Sequence, residues 1–272
     1  MTEQSQAPVV SEDRGTALSI NDLSKRYGSG EESVLALSDI DLDIKEGEFV
    51  SVVGPSGCGK STLLHSITGI VEPTAGSVTI EGLDVQSPEH DSHKVGLVFQ
   101  DAVLLDWRSI TNNIMLPIEI LHGNGELDGD KDEYRQKTAE LLELVGLDGF
   151  EDAYPAELSG GMQQRTSICR SLVYDPSVLL MDEPFGALDA LTRQKMNREL
   201  LDIWKSTQKT ILFVTHNLEE AVFLSDRVVV LSPRPGKVED IVDIDLERPR
   251  SDDTRTNERY HELVDYVYEY FH

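Results

Sequence analysis

The chain has 272 residues, enough to bury a sizeable core as one large domain or as a core with a subdomain. Its 24 Lys and Arg stand against 50 Asp and Glu, a formal net charge of -26, and a field of that sign repels nucleic acid and excludes it as a partner. Two cysteines, Cys58 and Cys169, are too few for a disulfide framework or a four-ligand metal site, and they fit a reducing cytoplasm. The acidic residues are spread along the whole chain, which suits a halophilic protein, where high salt screens their mutual repulsion while they stay hydrated, better than it suits the alternative of an acidic docking face for a basic partner.

Residues 1–16 are polar and acidic and are expected to form a disordered tail, without the basic start or apolar stretch of a secretory signal. No apolar run approaches the roughly 18 residues of a membrane helix, so work at a membrane would require another protein to hold this one there. From Leu18 to Ile80 short or alternating apolar runs predict strands, interrupted by the helical stretch STLLHSITGI. A strand, a glycine-rich turn and a helix in that order point to an α/β nucleotide fold. Between Ile110 and about Leu172 the pattern turns helical, with HGNGELDGDKDE expected as a solvated loop between two helices. Strand runs return in SVLLMDEP, TILFVTH and DRVVVLS, with a long helical pattern from Ala190 to Ser206 after the first of them. From Asn257 onward, Tyr260, Val264, Val267 and Phe271 recur at helical spacing and predict an amphipathic closing helix.

Gly54-Pro55-Ser56-Gly57-Cys58-Gly59-Lys60-Ser61 fits the phosphate-binding pattern G-x-x-x-x-G-K-[ST] and lies between a predicted strand and a predicted helix. Its glycines let successive N–H groups turn onto phosphate oxygens, and the helix adds its positive end. Lys60 is placed for the β- and γ-phosphates of ATP and the Ser61 hydroxyl for Mg²⁺. Cys58 contributes backbone and a small side chain, and no second cysteine nearby gives it a redox partner. The buried-strand run Val178–Met181 ends in two carboxylates: Asp182 is placed for the Mg²⁺ shell and Glu183 for polarising the attacking water. His216 follows another apolar strand, where a γ-phosphate contact competes with a purely structural role.

Leu158-Ser159-Gly160-Gly161-Met162-Gln163-Gln164-Arg165 reads as a helix start with Ser159 as N-cap. Together with the cradle, Gln100, Asp182-Glu183, Ala187-Leu188-Asp189 and His216, in that family's order, it makes the chain resemble the ABC (ATP-binding-cassette) ATPases from Leu18 to Val238. The resemblance implies a P-loop NTPase core with an N-terminal antiparallel β subdomain and an inserted α-helical subdomain. The expected division is an ABC ATPase domain over 17–245, its helical subdomain at about 101–172, and a C-terminal segment over 246–272. Carried over residue by residue, it implies that Tyr27 stacks on adenine and that the run from Gly54 to Thr62 (Gly54, Pro55, Ser56, Gly57, Cys58, Gly59, Lys60, Ser61, Thr62) binds ATP. Ser61, Gln100 and Asp182 would serve Mg²⁺, and Glu183 and His216 would be catalytic. Ser159, Gly160, Gly161 and Asp189 would act on the ATP of a partner subunit.

One cassette per chain means the shared site needs a second, from another copy or a related chain. The interval between Gln100 and the signature is too short for the coiled coils of the DNA-repair members, and there is no second cassette of the translation type; a soluble, non-transport assembly-type ATPase stays open as the alternative. The segments Leu104–Ile114 and Ser232–Val238, and the absence of an added regulatory β-domain, resemble the nitrate/sulfonate/taurine importers, with cyanate, bicarbonate and thiamine-precursor systems as relatives. The resemblance implies integral-membrane permease subunits as partners, an external substrate-binding protein acting indirectly, and a place at the cytoplasmic face of the membrane. Trp107 and Arg108 are candidates for the surface that receives the permease, with packing of Trp107 inside the helical subdomain as the equal alternative.

Overall fold

A computed structural model describes residues 14–125, 127 and 130–271; the expected tail over 1–13 lies outside the described residues. Strands β1 (Thr16–Tyr27), β2 (Val34–Lys45), β4 (Ala75–Ile80) and β5 (Leu83–Asp84) form an antiparallel sheet in the order β2-β1-β4-β5. The alternation of β2 shows why it pairs on one face only: Ile40, Leu42 and Ile44 are buried while Asp39, Asp41 and Asp43 face outward. Thr16 belongs to β1 rather than to the tail, and the carbonyl of Gly15 already accepts from Glu46 N at 2.9 Å.

The second sheet holds β3 (Phe49–Val53), β6 (Val95–Val98), β7 (Val178–Asp182), β8 (Thr210–Val214), β9 (Arg227–Leu231) and β10 (Val238–Asp243), ordered β10-β9-β3-β8-β7-β6. All neighbours are parallel except β10, which pairs antiparallel with β9 at the edge. β3 and β8 are buried at every position, as continuous apolar runs in a sheet covered on both faces must be. Val50 and Val52 join the core shared with the antiparallel sheet and helix α1 (Lys60–Ile67), whereas Phe49 and Val53 join the core on the opposite face. That opposite core takes in Phe185 and Phe213, with Trp204 edge-on to Phe49 at a ring separation of 6.0 Å.

Between β6 and β7 the chain forms α2 (Ile110–Ile114), α3 (Leu116–Asn124), α4 (Lys131–Leu144) and α5 (Gly160–Leu172). The expected loop over His122–Glu133 is shorter than the composition suggested. Helix α3 runs on until Gly125 turns left-handed at φ 73°, and Asp130 caps α4 by accepting from Asp132 N at 3.0 Å. Helix α6 (Ala190–Thr207) follows β7, α7 (Leu218–Leu224) follows β8, and α8 (Glu258–Glu269) closes the chain. Strand β10 went unforeseen because its acidic sequence, VEDIVD, carries an edge strand's half-exposed pattern. Tyr260, Leu263 and Val267 of α8 belong to the main core, and the Tyr260 hydroxyl donates to Glu219 O of α7 at 3.0 Å. Among the described residues no helix is long and apolar enough to cross a membrane.

Candidate active site

The turn from β3 into α1 is shaped by its glycines. Gly59 has φ 115°, and a Cβ there would sit 2.7 Å from Leu37 Cδ2 and 2.9 Å from Ala36 O, so glycine alone fits. Lys60 opens α1, is buried, and donates through Nζ to Gly54 O at 2.8 Å and Pro55 O at 3.2 Å, which curls the loop around its ammonium. The thiol of Cys58 points into the core, where burial raises its pKa; a buried, protonated sulfur is a packing group and offers no reactive thiolate.

A cavity of about 350 Å³ lies over this loop, within the range of small-molecule sites. It gathers Tyr27, Ser56, Gly57, Gly59, Lys60, Ser61, Thr62 and Glu183 from the expected set. Its wall also includes Val34 and Ala36 of β2 and Arg234 of the β9–β10 connection, three residues that the sequence did not assign to the nucleotide site. Tyr27 is 42 % exposed, its hydroxyl donates to Thr62 Oγ1 at 3.4 Å, and Lys25 Nζ stands 5.1 Å from the ring centroid.

Alternation alone would send Asp182 and Glu183 to opposite faces. At the end of β7, however, Glu183 takes φ 46°, and this left-handed turn changes the direction of its side chain. Asp182 accepts from the Ser61 hydroxyl; burial, reinforced by the charge of Glu183, raises its pKa despite that bond. Glu183 Oε2 lies 2.7 Å from His216 Nδ1, so the two candidate catalytic side chains are in contact. His216 is positioned from behind by Thr215, whose hydroxyl donates to the buried Glu220 at 2.6 Å and accepts from Asn217 N at 3.0 Å. No spacing rule singled out Glu220; only its burial, which raises its pKa, distinguishes it from Glu219 beside it.

Among the described residues no group of three or more His, Cys, Asp or Glu is arranged to hold a metal alone. Mg²⁺ takes one or two hard oxygen ligands from protein and completes its shell with phosphate oxygens and water. The Ser61 hydroxyl and Asp182 carboxylate, already adjacent, are hard oxygen groups that would hold such an ion. Gln100 lies just beyond β6, its Nε2 3.2 Å from where a Cβ on Gly186 would stand, so it faces the loop that follows Glu183.

The signature residues do not line this cavity. Ser159 caps α5, accepting from Met162 N at 3.4 Å, and Asp189 caps α6, accepting from Leu191 N and Thr192 N at 3.1 Å each. The two helix starts are neighbours: a Cβ on Gly161 would lie 3.4 Å from Thr192 Cγ2, and one on Gly160 3.7 Å from Leu188 Cδ2. Hydrogen bonds from Thr192 hold the Asp189 carboxyl below its usual pKa.

A parallel sheet, a glycine cradle at the start of a helix, and a carboxylate pair at the end of a neighbouring strand define a P-loop nucleoside-triphosphate hydrolase. The family model described as ABC transporter matches residues 37–186. The aliphatic sulfonates import ATP-binding protein SsuB of Bacillus cereus is 41 % identical over 254 residues, 93 % of this chain and 96 % of that protein. The taurine import ATP-binding protein TauB of Roseobacter denitrificans is 45 % identical over 224 residues, 82 % of this chain and 80 % of that one. A solved dimeric ATP-binding cassette, MJ0796, in a post-hydrolysis state bound to ADP and Pi, superposes with a TM-score of 0.71 at 33 % identity, covering 85 % of this chain and 100 % of its own. The chain belongs to the ABC transporter ATP-binding family, and it is an ATP-hydrolysing cassette.

Proposed function

We propose that this chain is the ATPase subunit of an importer for a small oxidised anion, such as nitrate, a sulfonate or taurine. It works as a dimer on the cytoplasmic face of the membrane, docked on separate permease subunits. In this reading Lys60 and the loop from Gly54 to Thr62 hold ATP, Tyr27 carries adenine, and Ser61, Gln100 and Asp182 serve Mg²⁺. Glu183 and His216 act on the attacking water and the γ-phosphate, and Ser159, Gly160, Gly161 and Asp189 serve the partner's nucleotide. The helical subdomain over about 101–172 is the part that meets the permease.

The observation that carries the docking is Trp107, 74 % exposed on the segment between β6 and α2, with Phe99 and Val103 also exposed on the same segment. An aromatic left outside the core is an anchor in search of a pocket. Arg108, beside Trp107, is held by Glu119 Oε2 at 2.8 Å and Asn112 O at 3.2 Å. The small-anion cargo rests on likeness to the sulfonate and taurine import subunits, since the transported molecule touches the permease and not this chain. Deleting the gene is expected to abolish growth on alkanesulfonates or taurine as sulfur source, or on nitrate as nitrogen source. Normal growth on all of them, with loss of some unrelated nutrient, would reject the cargo and leave the ATPase standing.

A further inference from the structure

The segment Ser232–Lys237 joins β9 to β10 and is braced within itself: Ser232 N donates to Lys237 O at 2.9 Å, and the Ser232 hydroxyl donates to Pro235 O at 2.9 Å. It is also stitched to β2, through Gly236 N to Ala36 O at 2.9 Å and Ser38 N to Gly236 O at 3.0 Å. Gly236 lies so close under the cradle that a Cβ there would collide with Cys58 O. The hairpin thus fills the seam between the cavity wall on β2 and the underside of the phosphate loop, and it carries Arg234 at its tip.

Arg234 lines the nucleotide cavity and donates through Nε to Gly57 O at 3.1 Å, its one hydrogen bond among the described residues. That bond fixes the head of the side chain and leaves the N–H groups of both η nitrogens for a ligand. Arg234 makes no ion pair among the described residues. The charge around the cavity gives that cation a purpose. Lys60 and Arg234 are the two cationic side chains of the cavity lining, beside the Glu183 carboxylate and in a protein of net charge -26, so without Arg234 a polyphosphate would meet Lys60 as the single cation of that lining. A guanidinium held at one nitrogen and free at two is suited to phosphate oxygens.

We infer that Arg234 is a nucleotide-binding residue, a second cation beside Lys60 that contacts the phosphates common to ATP and ADP. The inference rests on the cradle being the ATP site. A structural alternative is that Arg234 serves only to pin the Gly57 carbonyl, and the salt dependence of binding separates the two. Calorimetric titration of the full chain with ADP, and with ATP in the absence of Mg²⁺, at low and molar KCl makes the test.

Arg234→Gln, which keeps a donor for Gly57 but no charge, is expected to raise Kd for both nucleotides about 3- to 10-fold at low salt, as loss of one partly screened charge-assisted contact. It should also flatten the dependence of Kd on KCl, and Arg234→Lys should restore part of both. A Kd within two-fold of wild type, or a weaker Kd whose salt dependence is unchanged, would overturn the inference. Lys60→Ala is measured alongside: unimpaired ADP binding there would sink the cradle and Arg234 with it. A clear Lys60 effect with none at Arg234 sinks Arg234 alone.

Discussion

Glu183 illustrates how much one backbone angle decides. Its N–H still donates to Val214 O at 2.9 Å, as if β7 continued, yet φ 46° brings its carboxylate to His216 while Asp182 stays on Ser61. A non-glycine residue in the left-handed region costs of order 1 kcal/mol or more, and such strain persists where the surroundings over-determine it, typically at functional sites. Glu183→Gln keeps the shape and a hydrogen-bonding group for His216 but removes the carboxylate proposed as the base. It is expected to leave ATP binding intact, to cut hydrolysis by at least about 100-fold, and to trap an ATP-bound dimer visible by size-exclusion chromatography with ATP and Mg²⁺. Hydrolysis at the wild-type rate would remove Glu183 from the reaction.

At the scale of elements, α5 connects the signature to the segment proposed to receive the permease. Its Gln164 donates to Phe99 O at 3.0 Å, its Arg170 to Ala102 O and Val103 O at 2.8 Å each, and its Ser171 to Leu97 O at 2.8 Å. These bonds tie the stretch from Leu97 to Val103, just before Trp107, to the helix that begins at the signature. The N-terminus of α5 and the start of α6 both lie outside the lining of the chain's own cavity, which is the arrangement a site shared between two copies requires. Lys60→Ala is expected to lose ATP affinity, and Ser159→Arg to bind nucleotide without hydrolysing it. Mixed in equal amounts, the two should recover a fraction of the activity, because a heterodimer keeps one site with an intact cradle and an intact facing signature. Failure of the mixture to hydrolyse ATP above either parent would weaken the shared site.

For the whole molecule, charge outweighs every other surface property. Asp39, Asp41 and Asp43 stand in a row on the outer face of β2, and such like-charged rows repel wherever water leaves them unscreened. Raising KCl from about 0.1 M to about 1 M shortens the screening length from roughly 10 Å to 3 Å, which weakens that repulsion along with the surface ion pairs. With a net charge of -26 the repulsion is the larger of the two, so the melting temperature is expected to climb by about 5 °C or more toward molar KCl. A flat or falling value in a thermal melt monitored by circular dichroism would refute a high-salt adaptation.

What the sequence determined by itself was whatever is written in neighbouring residues. The cradle needs Gly57 and Gly59 before Lys60, the buried strands need unbroken apolar runs, and α5 needs Ser159 as its cap; each is a local requirement and each was legible. Tertiary structure decided what depends on residues far apart in the chain meeting. The acidic edge strand β10 exists because β9 offers it a partner. Trp107 is an exposed surface residue rather than part of the core because of how α2, α4 and α5 pack, which a single aromatic in a sequence does not disclose. Arg234 enters the nucleotide cavity 177 residues after Gly57 because β9 lies next to β3, and strand order in a parallel sheet is set by crossovers and packing rather than by any residue of the hairpin itself.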